Sequence, residues 1–142
     1  MDPIPARSLL VVDDEEAYLE LVAELLSERL ECRVAAFTRP DEALAALPQL
    51  GVGLIITDYS MPQMNGVDFL YRAHALVPDA AAVMITGHRI ELAGTDFSHV
   101  PGLREVLFKP VRLDMLVEQV LKHWPDSAPP PLRQGLGSRT KV

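Results

Sequence analysis

Short runs of consecutive apolar residues alternate along this chain with longer stretches whose apolar positions recur every three or four residues. Residues 8–12 (SLLVV) form such a run and end at two acids, which predicts a buried strand. Residues 16–30 follow with Leu19, Val22, Leu26 and Leu30 at helical spacing. A second strand is expected over 33–37. Thr38 and Asp41 then resemble a capping start, with Pro40 in the first turn of a helix reaching about residue 47. Residues 54–57 (LIIT) predict a third buried strand, again followed by an acid, Asp58. Residues 66–76 are amphipathic through Val67, Leu70 and Ala73, and 81–85 read as a fourth strand. Residues 88–103 carry the weakest pattern, because Gly94, Pro101 and Gly102 interrupt any helix there. A fifth strand over 105–108 and a helix over 112–123, with Leu113, Leu116, Val117, Val120 and Leu121 on one side, complete the pattern.

Five short apolar strands alternating with helices imply an α/β fold, a parallel sheet covered on both faces. Right-handed crossovers favour a doubly wound sheet. Such sheets bind ligands at the carboxyl ends of their strands. Asp13 and Asp14 follow the first strand, Asp58 the third, Thr86 the fourth and Lys109 the fifth. Thr86 alone would read as an ordinary strand-end hydroxyl, and Lys109 alone as a surface lysine. Together, three carboxylates, a hydroxyl and an ammonium describe a site. Clustered carboxylates cannot all stay ionised cheaply, and a hard divalent cation with oxygen ligands resolves the conflict. The set therefore suits a metal such as Mg²⁺ and an incoming oxyanion, most simply a phosphoryl group.

At this point the residues resemble a known family, the receiver domain of two-component response regulators. The matching segments are Leu10-Val11-Val12-Asp13-Asp14-Glu15, then the run from Ile56 through Asp58 to Gly66, then Met84-Ile85-Thr86-Gly87, and Phe108-Lys109-Pro110. They occur in the family's order across roughly residues 7–124. The resemblance implies a flavodoxin-like receiver fold with five strands in the order 2-1-3-4-5. It implies Asp58 as the phosphoacceptor and Asp13, Asp14, Asp58 and the backbone carbonyl of Ser60 as the ligands of Mg²⁺, with Mn²⁺ as an alternative. Asp13 is expected to act through a metal-bound water. Lys109 and Thr86 would hold phosphoryl oxygens, and Lys109-Pro110 would be cis. The donor would be a histidine kinase or a histidine phosphotransfer protein. Such a protein is a switch that catalyses its own phosphorylation and dephosphorylation, not an enzyme acting on other substrates. Its output would pass through an unidentified downstream protein, without DNA binding of its own, and a homodimer formed on phosphorylation is a further expectation.

Two departures stand out. Receivers usually place Tyr or Phe three residues before the lysine, and here that position is Val106. A β-branched aliphatic has few rotamers and no ring to swing, so coupling without aromatic gating is expected, through Thr86 and residues 88–103. Gly94 and Pro101-Gly102 also predict a short, shifted or mobile helix in that stretch, which puts the usual dimer face in question. Ser60 and His88 occupy positions that in receivers modulate phosphate lifetime. Ser60 also argues against an aspartate-nucleophile hydrolase, which would want a second acid there.

Size and composition add limits. At 142 residues and 49% apolar content, the chain fits one globular domain. The single cysteine, Cys32, excludes an intramolecular disulfide and a thiolate zinc cluster. The net charge of -7 argues against nucleic acid or an anionic membrane as a partner. Absence of a membrane-length apolar run or a secretory leader pattern makes the cytoplasm the expected location. Three parts are expected: an N-terminal extension over 1–7, a receiver over 8–124, and a disordered Pro/Gly-rich tail over 125–142. The tail carries Arg133, Arg139 and Lys141 against Asp126. It leaves no room for an output module, so a free-standing regulator is expected. The alternatives are a phosphate shuttle or sink in a phosphorelay, and a receiver module cut from a larger hybrid kinase. Met61, Met64 and Met84 are expected to pack, Cys32 to be structural, and Gly66 to cap the turn entering the third helix.

Overall fold

In the computed structural model, residues 7–87, 92–126 and 128–133 are described. Five parallel strands, β1 (Ser8–Val12), β2 (Val34–Phe37), β3 (Val52–Asp58), β4 (Ala81–Thr86) and β5 (Leu103–Phe108), form one sheet in the order β2-β1-β3-β4-β5. Four helices among the described residues flank it: α1 (Glu16–Arg29), α2 (Pro40–Leu50), α3 (Gly66–Leu76) and α4 (Leu113–His123). This is the doubly wound architecture that the apolar runs predict.

Each central strand feeds two cores, because successive side chains point to opposite faces. Leu9 and Val11 of β1, with Leu54 and Ile56 of β3, pack against Val22 and Leu26 of α1 and Leu116 and Val120 of α4. Leu10 and Val12, with Ile55, pack on the other face against Leu47 of α2 and Phe69 and Leu70 of α3. Both faces are buried, which is why β1, β3 and β4 read as continuous apolar runs rather than as alternation. Met84 is fully buried, and Met61 and Met64 pack against the α2–α3 core. Cys32 is half-buried against the α1–α4 core, and burial raises its thiol pKa.

Several boundaries differ from those expected. Thr38 does not cap α2. The cap residue is Arg39, extended at φ -122° and ψ 126°, with no side-chain cap bond. Pro40 forces that geometry on the residue before it, and at the first helical position its missing N–H costs nothing. The helix also passes Pro48 and ends on the left-handed Gly51 (φ 61°). Strand β3 begins at Val52 because Gly53 belongs to it. A Cβ at Gly53 would lie 2.7 Å from the Trp124 ring, so the glycine is required by packing and does not break the strand. Strand β5 begins at Leu103, directly after Gly102 at φ 77°.

In the weak stretch between β4 and β5, residues 88–91 lie outside the described residues, so the start of the expected short helix and the expectation for His88 lie there too. Beyond it, Leu92 and Val100 are buried and Gly94 takes a left-handed conformation at φ 78°.

The expectation of disorder from residue 125 needs correction as far as residue 133. Leu132 pairs with Leu30 in an isolated antiparallel bridge. Glu31 N–H donates to the Pro131 carbonyl at 2.8 Å, and Arg133 N–H to the Arg29 carbonyl at 2.9 Å. Arg133 Nε donates to the Ser27 carbonyl at 2.7 Å. The last carbonyls of a helix lack intrahelical donors, and this segment supplies them to α1. The remainder of the expected tail lies outside the described residues.

Candidate functional site

The strand order reverses between β1 and β3, and the crevice at that switch point lies beyond the strands' carboxyl ends. Asp13 leaves β1 there. Its Oδ1 accepts the Glu15 N–H at 2.9 Å, which fixes the carboxylate as the chain turns into α1. Asp13 is buried at 4% exposure, whereas Asp14 is exposed. Asp58 closes β3 at 6% exposure. Its Oδ1 accepts the Tyr59 N–H at 2.8 Å.

Carboxylate oxygens of Asp13, Asp14 and Asp58 lie within 4.8 Å of one another. Three hard oxygen donors this close fit a divalent cation, so the residues present agree with a metal site. Ser60 is exposed in the β3–α3 loop, two residues beyond Asp58.

Lys109 follows β5. Its N–H donates to the Thr86 carbonyl at 2.8 Å, tying the ends of β4 and β5, and its bond to Pro110 is cis as expected. Its Nζ donates to Glu15 Oε1 at 3.0 Å and to Asp13 Oδ2 at 3.1 Å, and lies 3.9 Å from Asp58 Oδ2. Thr86, fully buried, ends β4 opposite Phe108.

Burial, reinforced by the neighbouring Asp13 charge, raises the Asp58 pKa to about 6, against the opposing pull of Lys109 and the Tyr59 N–H. Burial likewise raises Asp13. Burial works against the Lys109 ammonium, but Glu15, Asp13 and Asp58 outweigh it and its pKa moves up. The site is therefore an under-neutralised acidic pocket with one cation, Lys109, among the described residues.

Gly66 plays a different part from the one expected. Asn65 caps α3, its Oδ1 accepting the Asp68 N–H at 2.9 Å. A Cβ on Gly66 would collide with the Asp58 carbonyl oxygen and lie 3.1 Å from Met84 Sδ. The glycine lets α3 start directly against the residue that ends β3, and its N–H donates to the Tyr59 carbonyl at 2.7 Å.

Two residues were not singled out by sequence. Glu15 pairs with Lys109, and the only signal was its place after the acid pair. Tyr18 lies beneath Lys109, with Nζ 4.3 Å from the ring centroid. Its spacing of four from Asp14 puts it one turn along α1, but among apolar neighbours it reads as core.

The family model for the response regulator receiver domain matches residues 9–121. This chain belongs to that family. A response regulator receiver protein of Anaeromyxobacter sp. (strain Fw109-5) is 32% identical over 112 residues, 79% of this chain and 46% of that protein. The response regulator receiver protein CpdR of Brucella abortus is 33% identical over 116 residues, 82% of this chain and 94% of CpdR. This receiver thus spans nearly all of one curated relative and less than half of another. A CheY-like receiver domain from Methanospirillum hungatei superposes with a TM-score of 0.72 at 28% identity, covering 83% of this chain and 93% of the other. The chain is a receiver of two-component signalling, a family of signalling switches. No helix among the described residues is long and apolar enough to cross a membrane.

Proposed function

We propose that this receiver takes a phosphoryl group from a phosphohistidine onto Asp58 and signals by protein–protein contact. The observation that carries the reading is the meeting of Asp13, Asp14 and Asp58 with Lys109 at the switch point. Asp58 Oδ1 is held by the Tyr59 N–H, which leaves Oδ2 as the attacking oxygen. The new bond runs from Oδ2 to phosphorus, the phosphorus–nitrogen bond breaks, and the imidazole leaves and regains its proton from solvent. Asp13, Asp14, Asp58 and the Ser60 carbonyl would hold Mg²⁺ or Mn²⁺, which supplies neutralising charge for the phosphoryl oxygens. Lys109 Nζ, 3.9 Å from Oδ2, meets one phosphoryl oxygen, and the Thr86 hydroxyl meets another. Phosphorylation replaces a carboxylate with a group bearing about -1.5 to -2 charges and new acceptor oxygens, and drawing Lys109 and Thr86 toward them biases the β4 and β5 ends.

The donor is a histidine kinase or a histidine phosphotransfer protein, and we place the exchange in the cytoplasm. A small phosphodonor tests the chemistry without knowledge of the partner. Acetyl phosphate with Mg²⁺ should add one phosphoryl group per chain, seen as an intact-mass increase. Chelation of the metal and Asp58→Asn should each abolish it. Full labelling of Asp58→Asn would overturn the assignment.

A further inference from the structure

Lys109 is the one cation among the described residues of the pocket, and its Nζ carries three N–H donors. Two of them go to Glu15 and Asp13. A lysine head on a four-carbon stem has many rotamers, and holding it in one costs entropy. Hydrogen bonds to two carboxylates fix the distance from each acid. They do not stop the head from following the exposed Glu15 into solvent. The Tyr18 ring, carried on α1, supplies the missing restraint, because Nζ lies over its face at 4.3 Å from the centroid. The ring is anchored in turn: Tyr18 packs against the α1–α4 core and, with Asp13, Thr57 and Asp58, lines a small cavity at the floor of the pocket. Among the described residues the Tyr18 hydroxyl is buried without a hydrogen-bond partner, so its ring face, not its hydroxyl, engages the site.

We propose that Tyr18 is a positioning residue, whose ring face holds the Lys109 ammonium where it can meet a phosphoryl oxygen on Asp58. The proposal rests on the reading of Asp58 as phosphoacceptor. It also puts the aromatic group of the pocket on α1, in a chain whose β5 carries Val106 where receivers usually carry a ring. Phosphorylation would draw Nζ away from Glu15 while the ring keeps it from leaving the pocket.

The test reads the lysine directly. The chain has three lysines, Lys109, Lys122 and Lys141, so carbon-13 lysine labelling gives an assignable NMR spectrum. In the wild type and in Tyr18→Phe, the ring current should shift the Lys109 ε-methylene upfield of the other two. In Tyr18→Leu that shift should vanish. Titration with beryllofluoride and Mg²⁺ should then need about threefold to tenfold more for half-saturation in Tyr18→Leu than in the wild type. Tyr18→Phe should restore the wild-type value. Tyr18→Met, an unbranched filler, replaces the leucine variant should that variant lose its folded amide spectrum. An aliphatic variant that saturates like the wild type overturns the proposal, as does a phenylalanine variant as weak as the leucine one. A wild type that never saturates overturns the phosphoacceptor reading itself.

Discussion

Asp58 is the residue on which the pocket's charge balance turns. Its carboxyl is raised from 3.8 to about 6, first by burial and then by Asp13. The folded chain therefore holds this proton more tightly than the unfolded chain does. The linked stabilisation is complete below the unfolded pKa and is lost as pH rises through about 6, a change of order 3 kcal/mol. Asp58→Asn removes the charge while its side-chain oxygen can still accept the Tyr59 N–H. In chelator, thermal unfolding should show the asparagine variant more stable than the wild type at pH 7 and the difference shrinking toward pH 4. A variant less stable than the wild type at pH 7 would contradict this account of the pocket. The meeting of Asp13, Asp14, Asp58 and Lys109 was legible in the sequence because each follows an apolar run, and strand ends in this topology share one edge. Glu15 and Tyr18 were not legible. Their roles depend on where the Lys109 head lands, which is set by contacts spanning more than ninety positions of sequence.

At the scale of elements, the junction of β3 with α3 is the tightest constraint. Gly→Ala inside a helix ordinarily stabilises by about 1 kcal/mol. Gly66→Ala should do the opposite, because the new methyl meets the Asp58 carbonyl, Met84 and the Tyr59 backbone. We expect a loss of about 1–3 kcal/mol in denaturant unfolding, with slower labelling by acetyl phosphate as the phosphoacceptor is displaced. A stabilised Gly66→Ala variant would show that the junction has slack. The helices and strands themselves were readable from periodicity. Their ends were less so where tertiary contact overrode local signals, as at Gly53, which the Trp124 ring requires, and at Arg39, which Pro40 makes the cap of α2.

For the whole molecule, the two ends of the sheet do different work. The carboxyl ends carry the pocket. At the amino ends, Trp124 covers Gly53, Arg7 pairs with Asp126 at 3.3 Å, and residues 128–133 bond to the end of α1. Composition concealed this second feature, since Pro129, Pro130 and Pro131 suggest a segment unable to order itself. The open carbonyls of Ser27 and Arg29 and the Glu31 N–H give it partners that no local pattern reveals. Ending the chain at residue 127 should lower stability by about 1–2 kcal/mol, from three lost backbone-directed bonds offset by regained chain entropy. Acetyl phosphate labelling should be unchanged, because the segment lies across the sheet from the pocket. Slower labelling with unchanged stability would place it in the switch instead.

If Asp58 carries the phosphoryl group, borohydride trapping will mark that position. An acyl phosphate is reduced by borohydride to the corresponding alcohol, which marks the position permanently for peptide mass mapping. After acetyl phosphate and Mg²⁺, homoserine is expected at position 58 and at no other aspartate. Homoserine at Asp13 or Asp14, or a stable phosphate resistant to borohydride elsewhere in the chain, would contradict it.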